Sequence, residues 1–340
     1  MRAITQRAYG LEHLEIEELD VLEPKPGHVR VRVEAASINP ADWHRAMGEP
    51  KFMRLTEGWA RPKQLVAGTD FCGVIDAIGD EVDGWEVGDR VYGLASGAFA
   101  ESAIARADRI GPAAESASDA EMAALPIAAV TALQAVERGA VAGRRVVVNG
   151  ASGGVGHLAV QIARAAGAAE VVAVCSDRNA SWVAELGADT VIDYESADFC
   201  DMAYDVVIDC VGNRAPRDIA RGMSPDGRWV LVGASTKTGW LGPLGGLVRA
   251  KLAWLLARRS CIVFIAEEST ERLTEIARLV EDGSLRVRIA GSRPLTDIRD
   301  AYDRIESQRI AGKVVVTPRR QSSSAALAAC TTIGSEQPRA

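Results

Sequence analysis

The sequence predicts an α/β protein in two parts, a β-rich first part and a doubly wound parallel-sheet second part, and three observations carry that prediction. Residues 1 to about 122 read as short strands broken by turns, as in "HVRVRVEAASI", "LVAGTDFCGVIDAIGDEV" and "VGDRVYGLASGAFAESAIA". From about residue 123 apolar strand-like runs alternate with helix-like ones, the pattern of a parallel sheet covered on both faces. The length of 340 residues exceeds one typical domain and suffices for a large core.

In the second part, "RRVVVNG" reads as a buried strand and "GVGHLAVQIARAAG" as a helix with Leu158, Ile162 and Ala166 on one face. "EVVAVC", "DTVIDY", "YDVVIDCVG" and "RWVLVGAS" continue as strands, with "NASWVAELGA" and "APRDIARGM" as helices between them. "SCIVFIA" reads as the last strand of that sheet. "STERLTEIARLVEDGSL" and "LTDIRDAYDRIESQRIAG" read as helices that open on Ser or Thr caps, and "KVVVTP" as a short strand. Residues 319–340 are rich in Ser and Ala without a sustained period, and a mobile tail is expected there.

Composition excludes several classes. Apolar residues at 48% and charged residues at 25% give a globular balance, and a net charge of -7 repels a polyphosphate, so nucleic acid is not an expected partner. The six cysteines are scattered with no Cys-x-x-Cys pair, which fits free thiols in a reducing compartment. The first residues hold no apolar core of signal-peptide type, and the expectation is a cytoplasmic protein. "WLGPLGGLVRAKLAWLLARR" is the most lipid-like stretch, but Arg249 and Lys251 interrupt it. It reads as an amphipathic cover over a pocket or interface, not a membrane anchor.

The stretch after "VVVNG" decides the chemistry. Ala151, Gly153 and Gly156 stand in the three positions of an Ala-x-Gly-x-x-Gly fingerprint, between an apolar strand and a helix, with a second apolar strand following. A small first residue allows the turn, Gly153 lets the backbone approach a pyrophosphate, and Gly156 lets the helix pack against the strand. The amides of Ser152, Gly153, Gly154, Val155 and Gly156, with the positive end of the helix dipole, then hold the anion.

An NAD-preferring site would carry an acidic residue at the end of the second strand, roughly 20 positions on. Here that strand ends at Cys175 and Ser176. Arg178 suits a 2′-phosphate through its planar fork, and Ser176 and Asn179 offer hydrogen bonds, so NADP(H) is the expected cofactor. Asp177 argues the other way, and Arg178 as a solvated loop charge remains the plain alternative.

With these motifs in hand, the chain resembles the medium-chain dehydrogenase/reductase superfamily, in its zinc-independent quinone oxidoreductase-like branch. "AASINPADWHRAMGEP", "GTDFCGVIDAIG", "VGDRVYG", "LPIAAVTALQAV", "VNGASGGVG", "LGADTVIDY", "DVVIDCVG" and "GKVVVTP" carry the resemblance from residue 1 to about 318. It implies a GroES-like β domain for the substrate over residues 1–122, completed by 267–318, and a Rossmann domain for the cofactor over 123–266.

The zinc-dependent relatives carry a Cys in the stretch matching "SINPAD" and Gly-His-Glu where this chain has Gly68, Thr69 and Asp70, so no metal site is expected. His157, at the start of the cofactor helix, is expected to touch solvent or the nucleotide. The resemblance puts Asn39 beside the nicotinamide and the substrate, and Thr131 near the nicotinamide ring. His44 follows "NPADW" where some quinone reductases place a pocket tyrosine; it either donates to the reduced oxygen or packs in the loop. Tyr194 is either a ligand to the adenine-side phosphate or a strand-end packing residue. Trp43, Phe52, Trp59, Trp240 and Trp254 either form a ring-stacking pocket or pack in the core.

A metal-free site suits acceptors that delocalise incoming negative charge, so the resemblance implies NADPH-dependent reduction of a quinone or an α,β-unsaturated carbonyl. An enoyl-thioester reductase and a non-catalytic NADPH-binding redox sensor stay open as alternatives. "SCIVFIA" leaves an apolar strand edge that needs cover, and the resemblance implies pairing with its counterpart in a second subunit, a homodimer with Ile262, Val263 and Phe264 at or next to the contact; a monomer whose edge is covered by the segment after Trp240 or by the tail is the alternative.

Overall fold

Val29, Val31 and Val33 alternate with Arg30, Arg32 and Glu34, and this period of two makes residues 28–38 a strand with one buried face. The computed structural model describes residues 1–233, 260–306 and 310–318. In the first half β1 (Arg2–Gln6) and β2 (Leu14–Glu18) form an antiparallel pair. Strands β3 (His28–Ile38), β4 (Asp70–Ile78), β5 (Arg90–Ser96) and β6 (Ser102–Pro112) are neighbours in that order, and β6 returns to pair with β3. The return closes the four strands into a ring, so the valines of β3 pack with Phe71, Ile75 and Val91 in a common core.

The second sheet is parallel throughout. It comprises β7 (Arg145–Asn149), β8 (Glu170–Cys175), β9 (Thr190–Asp193), β10 (Tyr204–Asp209), β11 (Met223–Leu231) and β12 (Ser260–Val263), in the order β12-β11-β10-β7-β8-β9. Val146, Val147 and Val148 of β7 are fully buried because strands flank them and helices cover both faces. β8 lies on one side of β7 and β10 on the other, so the chain reverses its direction of travel across the sheet at β7. A crevice at the carboxyl end of such a strand is where dinucleotides bind.

After the second sheet the chain returns to the first. β13 (Ile289–Pro294) runs parallel to β14 (Lys313–Thr317), which pairs antiparallel with β3 through Val314–Ile38, Val315–Ser37 and Val316–Ala36. Ser269 caps the helix Thr270–Glu281 by accepting the Arg272 amide. Pro294 and a short 3-10 turn at Leu295–Asp297 lead into the next helix, Ile298–Glu306. Leu158 and Ile162 face the core as expected, but Ala166 lies past the end of the helix Gly156–Ala165 and is exposed, because Gly167 turns the chain with φ 79°.

Trp240, Trp254, the apolar segment 240–259 and the tail 319–340 lie outside the described residues. No helix among the described residues is long and apolar enough to cross a membrane.

Candidate active site

Between β7 and its helix the backbone turns at Gly150, whose φ is 83°. The amides of Gly150 and Ala151 donate to the Val174 carbonyl at 3.1 and 2.9 Å, and Gly153 donates back to Gly150 at 2.9 Å. A Cβ on Gly156 would stand 2.1 Å from the Gly150 carbonyl oxygen, so helix and turn approach too closely for any side chain. A Cβ on Gly153 would meet nothing nearer than that same oxygen at 3.3 Å. Gly156 is thus required by packing, while at Gly153 a Cβ would make a single tight contact, with the Gly150 carbonyl oxygen. Among the described residues the amides of Ser152, Gly154, Val155 and Gly156 find no acceptor. Four unsatisfied donors at the head of a helix make a cradle for a phosphate group.

The register of β8 with β9 pairs Cys175 with Asp193, which sets Tyr194 next to Ser176. The Tyr194 amide donates to the Cys175 carbonyl at 3.2 Å, and its ring is 50% exposed, too open for core packing. Asp177 and Arg178 are exposed. Asn179 is buried and holds the turn: its Nδ2 donates to Ser176 Oγ at 3.0 Å, and its Oδ1 accepts from Trp182 Nε1 at 3.1 Å. Ser176, Arg178 and Tyr194 therefore gather at one strand end, with Asn179 as their support.

His157 departs from its expected place. It is fully buried, with Nδ1 donating to the Gly153 carbonyl at 2.8 Å and Nε2 accepting the Arg288 amide at 3.2 Å. Only the neutral ring with its proton on Nδ1 satisfies both partners. Burial lowers its pKa to about 4. The ring thus braces the cradle from behind instead of facing solvent or nucleotide, because the segment before β13 folds over it.

Across the cleft, Asn39 caps the helix Pro40–Met47, its amide donating to Asp42 Oδ2 at 2.8 Å. The Asn39 side chain is 3% exposed. Its Nδ2 donates to Asp70 Oδ2 at 2.9 Å, and its Oδ1 accepts from Lys313 Nζ at 2.5 Å. Asp70 Oδ2 also accepts the Ile127 amide at 3.3 Å in the first turn of the helix Pro126–Gly139, while Asp70 Oδ1 is buried with no partner. Burial pushes the Asp70 carboxyl up and the Lys313 ammonium down, each opposed by the charge of the other. Lys313 also lies under the cradle, where a Cβ on Gly154 would stand 3.1 Å from its Cδ.

Thr131 sits one turn along the helix from Ile127 and donates its hydroxyl to the Ile127 carbonyl at 2.6 Å. His44 is half-buried, edge-on to Trp43 at 5.2 Å, and its Nδ1 donates to the Glu49 carbonyl at 3.0 Å. A carbonyl only accepts, so the neutral ring has its proton on Nδ1 and a bare Nε2. Burial lowers the pKa, which opposes the imidazolium that would put a proton on Nε2. Among the aromatics, Trp43 packs against the first core and Phe52 is half-buried, while Trp59 is 67% exposed.

A zinc ion does not fit this donor set. Thr69 Oγ1 donates to Asp42 Oδ1 at 3.0 Å and accepts from Arg45 at 3.1 Å, and the Lys313 cation adjoins Asn39 and Asp70. Hydroxyl, amide and two cations replace the thiolates and imidazole that zinc prefers. Among the described residues no group of three or more His, Cys, Asp or Glu could hold a metal ion. A nicotinamide dinucleotide does fit, since the cradle offers free amides and an unfilled approach at Gly153.

Sequence reasoning missed Asp70 and Lys313 as site residues. Asp70 drew notice only as a lost zinc ligand. The available signal for Lys313 was its position at the head of "KVVVT", a lone charge on a strand that is otherwise valine and threonine.

The comparisons agree with this geometry. Residues 25–115 match the family described as alcohol dehydrogenase GroES-like domain, and residues 186–316 match the one described as zinc-binding dehydrogenase. The chain is 30% identical to 2-methylene-furan-3-one reductase of Solanum lycopersicum, over 94% of this chain and 79% of the relative. It is 29% identical to the chloroplastic NADPH-dependent alkenal/one oxidoreductase of Arabidopsis thaliana, over 91% of this chain and 77% of the relative. The quinone oxidoreductase of Coxiella burnetii superposes with a TM-score of 0.82 at 28% identity, covering 94% of this chain and 99% of that one. With its GroES-like and Rossmann sheets, its nucleotide cradle and these relatives, the chain is an oxidoreductase of the medium-chain dehydrogenase/reductase superfamily, in the quinone oxidoreductase-like branch.

Proposed function

We propose that the protein uses NADPH to reduce quinones or α,β-unsaturated carbonyl compounds. The observation that carries this reading is the pairing of an open phosphate cradle with a polar, metal-unsuited centre at Asn39, Asp70 and Lys313. When bound, the reduced nicotinamide supplies the hydride. A conjugated acceptor spreads the charge that arrives with it over several atoms, so oriented hydrogen-bond donors do the work that a Lewis acid does for an isolated carbonyl. His44, with a bare Nε2 at neutral pH, is not the proton source in its resting form. The proton that completes the two-electron reduction comes from water.

The preference for NADPH rests on Arg178, which is exposed at the end of β8 beside Ser176 and the open ring of Tyr194. A guanidinium there pairs with a 2′-phosphate. The alkenal/one oxidoreductase among the relatives is NADPH-dependent by name, which supports the same choice. β12 is the outermost strand of the parallel sheet among the described residues, with Ile262 and Val263 half-buried. Pairing with its counterpart across a two-fold axis covers that edge and makes a homodimer.

The test is acceptor-dependent oxidation of NADPH by purified protein over a panel of quinones, enones and saturated ketones, with and without a chelator. Turnover restricted to conjugated acceptors and indifferent to chelation is expected. Cofactor binding without any acceptor-dependent oxidation overturns the reading.

A further inference from the structure

A side-chain amide can usually turn over, exchanging oxygen for nitrogen, at little cost. Asn39 cannot. On one side stands Lys313, which only donates, and on the other Asp70 Oδ2, which as a carboxylate only accepts. Turning the amide would set nitrogen against ammonium and oxygen against carboxylate, two repulsive contacts in place of two charge-assisted bonds, among three buried side chains. The Nζ also donates to the Ile38 carbonyl at 3.4 Å, so the ammonium itself is held from the last residue of β3, next to Asn39.

We propose that Lys313 and Asp70 are positioning residues that lock the carboxamide of Asn39 with its oxygen toward Lys313, so that its second N–H is the donor offered to the acceptor or the nicotinamide amide. This rests on the reading of Asn39 as a residue beside the reacting groups. The same lysine is tied to the cofactor side. Gly312 donates its amide to the Ser152 carbonyl at 2.9 Å, and the Lys313 stem passes beneath Gly154. The orientation of Asn39 is therefore set by a group anchored to the cradle.

The experiment has two arms. In the first, selective 15N-asparagine labelling of the cofactor-free protein reads the side-chain amide signals of Asn39, assigned by their loss in Asn39→Ala. Both signals are expected to shift in Lys313→Met and in Asp70→Asn, and to stay near their original positions in Lys313→Gln, whose amide still donates. In the second arm, Lys313→Met lowers kcat about 10- to 100-fold while KM for the acceptor changes less than about threefold, and Lys313→Gln recovers most of the loss. If the methionine variant fails to fold, the shift expected in Asp70→Asn carries the test. Asn39 signals indifferent to Lys313→Met or to Asp70→Asn, or an unchanged kcat in a folded Lys313→Met, overturn the proposal. A wild type without turnover defeats the functional reading alone, because the amide signals still report the lock.

Discussion

Gly312 and Ser152 meet through a 2.9 Å backbone hydrogen bond that fastens the segment leading into β14 to the middle of the nucleotide cradle. Gly312 reaches this contact with φ 100°, and a Cβ on it would stand 2.2 Å from the Arg288 carbonyl oxygen. The cradle is thus held by a glycine from a distant part of the chain as well as by its own three small residues. What each does can be separated by substitution.

Gly153→Val and Gly156→Ala should fail in different ways. A Cβ at 153 meets only the Gly150 carbonyl oxygen, at 3.3 Å, so the valine variant is expected to fold with a small shift of the turn and to lose about tenfold or more in cofactor affinity. At 156 the clash with Gly150 destabilises the protein itself, by roughly 1–3 kcal/mol. Thermal unfolding and cofactor titration on both variants check the contrast. Equal affinity in wild type and a folded Gly153→Val removes the cradle assignment.

Arg178→Ala should weaken NADPH about tenfold or more and leave NADH nearly untouched. Titration of both cofactors decides. A parallel loss for the two, or a wild type that prefers NADH, transfers the reading of the ribose to Asp177.

The neutral His157 makes stability depend on acid in a definite direction. Its folded pKa, about 4, lies below the ordinary value of 6.5, so the unfolded chain takes up the proton first. The contribution is whole above about pH 6.5 and is lost as pH falls toward 4, roughly 3 kcal/mol in all. Denaturant unfolding of wild type and His157→Gln across that window should show a shallower pH slope in the variant. Identical slopes assign the acid sensitivity elsewhere.

If β12 makes the dimer, Val263→Pro removes a ladder donor and introduces a ring at the sheet edge. Light scattering at micromolar concentration should give a dimeric mass for the wild type and half of it for the variant. A monomeric wild type ends the prediction.

The cradle was legible in the sequence because everything it needs is local: a strand, three small residues and a helix within one short stretch. Gly156 and Gly153 could each be given a reason before any coordinates. The polar centre was legible only in part. Asn39 could be singled out, but Asp70 stood out only as a lost zinc ligand, and the lysine that orients Asn39 lies 274 residues away, with no spacing rule to link them. His157 was misplaced for the same reason, since the Arg288 amide that buries it is 131 residues distant. The tautomer of His44 depends on a carbonyl five residues on, near in sequence yet decided by how the loop bends.

The pairing of β14 with β3 joins residues as far apart in sequence as Ala36 and Val316. On the ribosome this imposes an order. The parallel sheet has all six strands available once residue 263 has emerged, whereas the end of β3 lacks its β14 partner, and Asn39 its ammonium, until residues 313–317 follow. A chain halted between those points carries the glycine turn but lacks both the Gly312 tie on Ser152 and the lysine that orients the amide. On the proposed reading, such a fragment is expected to take up dinucleotide without turning it over, and the final strand to complete the enzyme.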